Sequence, residues 1–124
     1  MSRTGSILVI DDEEIMREIL ERLLTREGYD VRLAASGDEG VELAKAIPID
    51  AAIVDVMMPG MDGMTVLDEL KKIDDELPVL MITAFASVES AIAAMKRGAF
   101  DYITKPFKND EVLVVVRNAL ERRD

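Results

Sequence analysis

The sequence predicts an α/β fold: a three-layer sandwich with a five-stranded parallel sheet between helices. Three observations predict it. Short continuous apolar runs alternate with helix-period segments from end to end. The apolar runs lack polar alternation, as expected of strands buried on both faces. Consecutive strand–helix units also favour parallel pairing with right-handed crossovers. The length of 124 residues suits a single domain, expected over 1–124 with a core at about 6–122. With 49% hydrophobic and 32% charged residues, a packed core is expected and disorder is not.

The elements follow in order. Ser6 to Ile10 is the first strand, ending in carboxylates. Glu14 to Arg26 carries the rows Ile15, Ile19, Leu23 and Met16, Leu20, Leu24, read as one helical stripe, with Gly28 at the expected C-cap. Tyr29 to Ala34 is the second strand. Ser36 and Glu39 form a capping box for a helix through Ala46, which Pro48 ends. Ala51 to Val54 is the third strand, again followed by an aspartate. Val56 to Gly63 has loop composition, with Gly60 and Gly63 expected to serve loop geometry and helix entry only. Val66, Leu67, Leu70 and Ile73 mark a third helix. Pro78 to Ile82 is the fourth strand, ending at Thr83. Val88, Ile92 and Met95 mark a fourth helix closed by Gly98, and Phe100 to Ile103 is the fifth strand. Asn109 is expected to cap a last helix through about Arg122, in which Val114 faces outward. The methionines mostly read as core filler.

Composition excludes several functions. A net charge of -10 disfavours nucleic acid and anionic membrane surfaces as direct partners. The absence of Cys and His removes disulfides, thiol nucleophiles, His catalysis and most transition-metal sites. No apolar run approaches the roughly 20 residues of a membrane helix, and no signal-peptide pattern opens the chain, so a cytoplasmic location is the expectation.

Ligands of parallel sheets bind outside the carboxyl ends of the strands. Applied here, that rule gathers Asp11 and Asp12 from the first strand, Asp55 from the third, Thr83 from the fourth and Lys105 after the fifth. Any one of these is ordinary in a loop; five at successive strand ends are not. Two carboxylates about 4 Å apart repel by about 4 kcal/mol at an effective dielectric near 20. A cation relieves that repulsion, and hard oxygen ligands without His or Cys select Mg²⁺, with Mn²⁺ as the substitute. A carboxylate beside such an ion can attack an activated phosphoryl group.

The residues Ile7-Leu-Val-Ile-Asp-Asp-Glu-Glu14, Val54-Asp-Val-Met-Met-Pro-Gly-Met-Asp-Gly63, Ile82-Thr-Ala84 and Gly98-Ala-Phe-Asp-Tyr-Ile-Thr-Lys-Pro-Phe107 span nearly the whole chain. Through them it resembles the CheY-like receiver domains of bacterial two-component response regulators. The resemblance implies the flavodoxin-like strand order 2-1-3-4-5, a worked case for this family rather than a deduction from the pattern. It implies that Asp55 accepts a phosphoryl group from a phosphohistidine on a sensor histidine kinase. It implies that Asp12, Asp55 and the Met57 carbonyl ligate Mg²⁺, with Asp11 acting through water. Thr83 and Lys105 would bind phosphoryl oxygens, and Tyr102 would be an aromatic switch coupled to Thr83. The Lys105–Pro106 bond is expected to be cis. The face of the fourth helix, fifth strand and fifth helix would carry the signal to an attached or separate output domain, with homodimerisation on activation among the expectations. The protein would catalyse only its own phosphorylation and dephosphorylation. Ala84-Phe-Ala and the alanine-rich fourth helix resemble receivers of the NtrC type, which regulate transcription.

Other readings share parts of this pattern. A flavodoxin-type FMN carrier needs a Ser/Thr/Gly-rich phosphate loop where Asp11-Asp12-Glu13-Glu14 stands. A haloacid-dehalogenase-like phosphatase needs Asp-x-Asp after the first strand. A pseudo-receiver would lack part of the Asp11, Asp12, Asp55, Thr83 and Lys105 set. Met57 and Phe85, two residues beyond Asp55 and Thr83, are apolar, so slow loss of the phosphoryl group is expected.

Overall fold

A computed structural model describes residues 5–123; of the span expected for the domain, residues 1–4 and 124 lie outside the described residues. Five strands and five helices alternate: β1 (Ser6–Ile10), α1 (Glu14–Arg26), β2 (Asp30–Ala34), α2 (Gly37–Ala46), β3 (Ala51–Asp55), α3 (Gly63–Ile73), β4 (Val79–Thr83), α4 (Val88–Lys96), β5 (Asp101–Thr104) and α5 (Asn109–Arg123). The strands pair in parallel in the order β2-β1-β3-β4-β5.

Every residue of β3 and β4 is buried, and so is every residue of β1 after Ser6. Alternate side chains feed two cores. Leu8, Ile10, Ala52, Val54, Val79 and Met81 pack on one face with Val41 of α2, Val66, Leu67 and Leu70 of α3, and Ala94 of α4. Ile7, Val9, Ala51, Ile53, Leu80 and Ile82 pack on the other with Leu20, Leu23 and Leu24 of α1 and Val112, Val116 and Leu120 of α5. Burial of one such side chain contributes about 1.5–3 kcal/mol, so this two-sided core dominates stability.

Caps end the helices where short-range chemistry allows. Ser36 Oγ accepts from Glu39 N–H at 3.2 Å, while the Glu39 carboxylate reaches back to Ala35 N–H at 2.6 Å. Gly28 and Gly98 end their helices at φ +94° and +97°, conformations in which a Cβ is strained.

Several expectations need correction. Ile15 is 71% exposed and Ile19 is also exposed, so the α1 core stripe is Leu20, Leu23 and Leu24. Ile15 lies in the first turn of α1, soon after β1 ends at Ile10. In α4 the row Val88, Ile92 and Met95 faces solvent, and Ala94 supplies the buried contact. The inward side of α4 carries alanine, and the larger side chains turn outward. Asn109 is the first helical residue rather than the cap, because the N–H groups of Glu111 and Val112 bond to Lys108 O. The methionines are mostly core, as expected, with Met58 and Met81 in it and Met16, Met61 and Met64 packed against it; Met57 and Met95 are the exposed exceptions among the described residues. Val114 is exposed, as expected.

Candidate functional site

The strand register places the chemistry on one rim. Ile10 pairs with Val54 and Asp55 with Ile82, so the carboxyl ends of β1, β3 and β4 lie side by side at the point where strand order reverses. Backbone bonds hold the loops leaving that rim. Asp11 N–H donates to Ala34 O, Val56 N–H to Ile82 O, and Lys105 N–H to Thr83 O, at 3.1, 2.9 and 2.8 Å. Gly63 N–H donates to Val56 O at 2.9 Å and closes the loop after β3 against its start.

Asp11, Asp55 and Thr83 are the buried polar residues among the described residues, all three belong to this rim, and the Lys105 side chain beside them is only 8% exposed. One carboxylate oxygen each from Asp11, Asp12 and Asp55 lies within 4.8 Å of the others. The Lys105 Nζ enters between them, 3.0 Å from Asp11 Oδ2 and 3.4 Å from Asp55 Oδ2. The second oxygen of each buried carboxylate is oriented by a backbone amide. Asp11 Oδ1 accepts from Glu13 N–H at 2.9 Å, and Asp55 Oδ1 accepts from Met57 N–H at 3.1 Å. Asp12 is exposed at the mouth of the cup.

Electrostatics follows from this crowding. Burial, then the Asp11 charge, pushes the Asp55 carboxyl above its ordinary value; Lys105 and the Met57 amide oppose the rise without cancelling it. Burial would lower the Lys105 ammonium, but its hydrogen bond and charge contacts with Asp11, together with Asp55 and Glu13, outweigh that and leave it raised. The unrelieved anionic charge suits a cation. Three converging carboxylates, one of them exposed, fit a hard divalent ion, and neither His nor Cys is present to favour a softer one.

The structure therefore brings together Asp11, Asp12, Asp55 and Lys105. Thr83 is fully buried at the end of the strand beside Asp55, and its Oγ1 accepts from Phe85 N–H at 3.0 Å. Tyr102 is half-buried and donates from its hydroxyl to Ser90 Oγ in α4 at 2.8 Å. The Lys105–Pro106 peptide bond is cis. Two contacts were not foreseen. Glu13 Oε1 lies 3.2 Å from Lys105 Nζ, and Arg17 donates to the Asp11 carbonyl at 2.7 Å. The acidic string Asp11 to Glu14 signalled charge at this rim, but nothing in it named Glu13 as the partner of a lysine 92 residues away.

Comparisons with known proteins converge on one family. The family model described as the response regulator receiver domain matches residues 7–117. The chain is 43% identical over 116 residues to response regulator MprA of Mycolicibacterium vanbaalenii, covering 94% of this chain and 50% of that protein. It is 36% identical over 121 residues to the regulatory protein AtoC of Escherichia coli, covering 98% of this chain and 26% of that one. Among solved structures, a response regulator receiver domain protein of Clostridium thermocellum superposes with a TM-score of 0.90 at 36% identity, over 96% of both chains. NtrX of Brucella abortus superposes with a TM-score of 0.92 at 36% identity, over 98% of this chain and 28% of that one. The chain thus spans about half of MprA and about a quarter of AtoC.

Proposed function

The chain belongs to the response regulator receiver domain family, and from that premise we propose that Asp55 accepts a phosphoryl group from a phosphohistidine on a sensor histidine kinase. One observation carries the reading: a buried carboxylate at a strand end, crowded by Asp11 and Asp12 and contacted by a buried ammonium. An Asp55 carboxylate oxygen forms the new bond to phosphorus as the P–N bond to the donor imidazole breaks. The electron pair of that bond stays on the imidazole nitrogen, which takes up a proton. Lys105 neutralises charge on the transferring group, and the Thr83 hydroxyl donates to one of its oxygens. Asp11, Asp12, Asp55 and the Met57 carbonyl would hold Mg²⁺, or Mn²⁺ in its place. Bound there, the ion supplies positive charge against the phosphoryl oxygens.

The output lies with the remainder of a longer regulator or with a separate partner, and regulation of transcription in the cytoplasm is the proposed role. Turning Thr83 toward the phosphoryl group removes its Oγ1 from Phe85 N–H and opens space beside Tyr102. The face of α4, β5 and α5 then changes shape. The protein acts as a phosphoacceptor, not as an enzyme on other substrates.

Intact mass tests the reading. With acetyl phosphate or phosphoramidate and Mg²⁺, the protein is expected to gain one phosphoryl group. The adduct is absent in Asp55→Asn and when a chelator removes the metal. Continuous turnover of a phosphate ester, or an adduct that survives Asp55→Asn, refutes the proposal.

Lifetime follows from the neighbours of the site. Met57 and Phe85 are exposed and apolar, and neither offers a group that orients an attacking water. After donor removal, the adduct is expected to decay about tenfold more slowly than in a Met57→Asn, Phe85→Glu double variant. Faster decay in the parent contradicts this.

A further inference from the structure

Lys105 has more carboxylate partners than the proposed chemistry needs. Its Nζ lies 3.0 Å from Asp11, 3.2 Å from Glu13 and 3.4 Å from Asp55, so each of its three N–H donors has a carboxylate. Asp11 and Asp55 are buried, and each is also fixed by a backbone amide. Glu13 differs: its side chain is 64% exposed. It occupies the N-cap of α1, yet its side chain makes no capping hydrogen bond. The carboxylate reaches Lys105 and makes no bond to its own helix.

While the phosphoryl group approaches and Asp55 is still a carboxylate, a transferring oxygen needs an N–H from Lys105, so one existing contact must be exchanged. Releasing Asp11 or Asp55 would leave a buried carboxylate uncompensated. Releasing Glu13 costs little, because water takes the place of the ammonium. We infer that Glu13 is a positioning residue acting through Lys105. In the unmodified protein it occupies one N–H of the ammonium, and its release adds a small part of the barrier to phosphoryl uptake. The inference rests on the phosphoacceptor reading of Asp55.

The test compares the full chain, Glu13→Ala, Lys105→Met and the double variant. Uptake from acetyl phosphate is read by intact mass at saturating Mg²⁺. Glu13→Ala is expected to accelerate uptake about two- to fivefold. Adding it to Lys105→Met is expected to change nothing. A second arm uses neither donor nor metal: labelling of Lys105 by an amine-reactive reagent, read by peptide mass, is expected to be faster in Glu13→Ala. Unchanged or slower uptake in Glu13→Ala overturns the inference. Equal acceleration in the Lys105→Met background overturns it too, since Glu13 would then act by bulk repulsion of the donor. So does unchanged labelling. A parent that takes up no phosphoryl group overturns the phosphoacceptor reading and the uptake claim with it, while the labelling arm still reports on the Glu13–Lys105 contact.

Discussion

Lys105→Met is expected to slow phosphoryl uptake by about 100-fold and, without divalent metal, to lower stability at pH 7 by about 2–3 kcal/mol. Methionine retains much of the stem and its packing, so the change isolates the charge. The Lys105 side chain is 8% exposed and sits between two carboxylates buried more deeply still. Removing it leaves those anions facing each other with no internal cation. The sign of the pH dependence follows. Lys105 is raised in the fold, so its contribution is fully present below the ammonium's unfolded value and is lost as pH rises through the folded one. Asp55 is also raised, so the fold favours its protonated form, and its contribution falls as pH climbs from the unfolded carboxyl value. Lys105 is among the groups holding that rise down, and without it Asp55 moves higher still. The stability loss should therefore shrink as pH falls into the carboxylate range. Saturating Mg²⁺ should shrink it as well. Urea unfolding of both proteins between pH 4 and 8 measures this. A loss that is independent of pH and of metal would assign the effect to packing instead.

Legibility divides along physical lines. The strands were readable because burial on both faces writes an unbroken apolar run, and β3 and β4 are buried throughout. Asp11, Asp55, Thr83 and Lys105 were placeable because strand ends in a parallel sheet share one rim. Helix faces were less readable. Apolar spacing in α4 says that a side is apolar, not that the sheet lies under it, and Val88 is 76% exposed while Ala94 is buried. Long-range polar pairs were not readable at all. Neither the Glu13–Lys105 contact nor the Tyr102–Ser90 hydrogen bond leaves a periodic trace, since each depends on where two loops or elements meet. The consequence of Gly63 was also hidden. Its place at a helix entry suggested loop geometry alone, although it lies against the backbone that carries Asp55.

Gly63→Ala is accordingly expected to destabilise the fold by about 3 kcal/mol and to impair phosphoryl uptake with it. Helix propensity argues the other way. Gly63 is the first residue of α3, where alanine would gain up to about 1 kcal/mol. The contact outweighs that gain. A Cβ at this position would meet the Asp55 carbonyl oxygen at less than contact distance, Val56 Cα at 2.5 Å and Asp55 C at 2.9 Å. All three atoms are backbone, so no side-chain rotation relieves the clash. The strand end cannot move freely either, because Val56 N–H is tied to Ile82 O and Gly63 N–H to Val56 O. Either the loop opens or the Asp55 backbone shifts, and a shift carries its carboxylate away from Asp11 and Lys105. Gly60→Ala is the control three residues earlier. Gly60 has φ +77°, but a methyl group there would have no neighbouring atom within 4 Å, so only the left-handed backbone penalty of about 1 kcal/mol applies. Unfolding midpoints and intact-mass uptake on both variants test the argument. A Gly63→Ala protein as stable as Gly60→Ala, with uptake intact, would show that the loop after β3 yields without disturbing the acceptor.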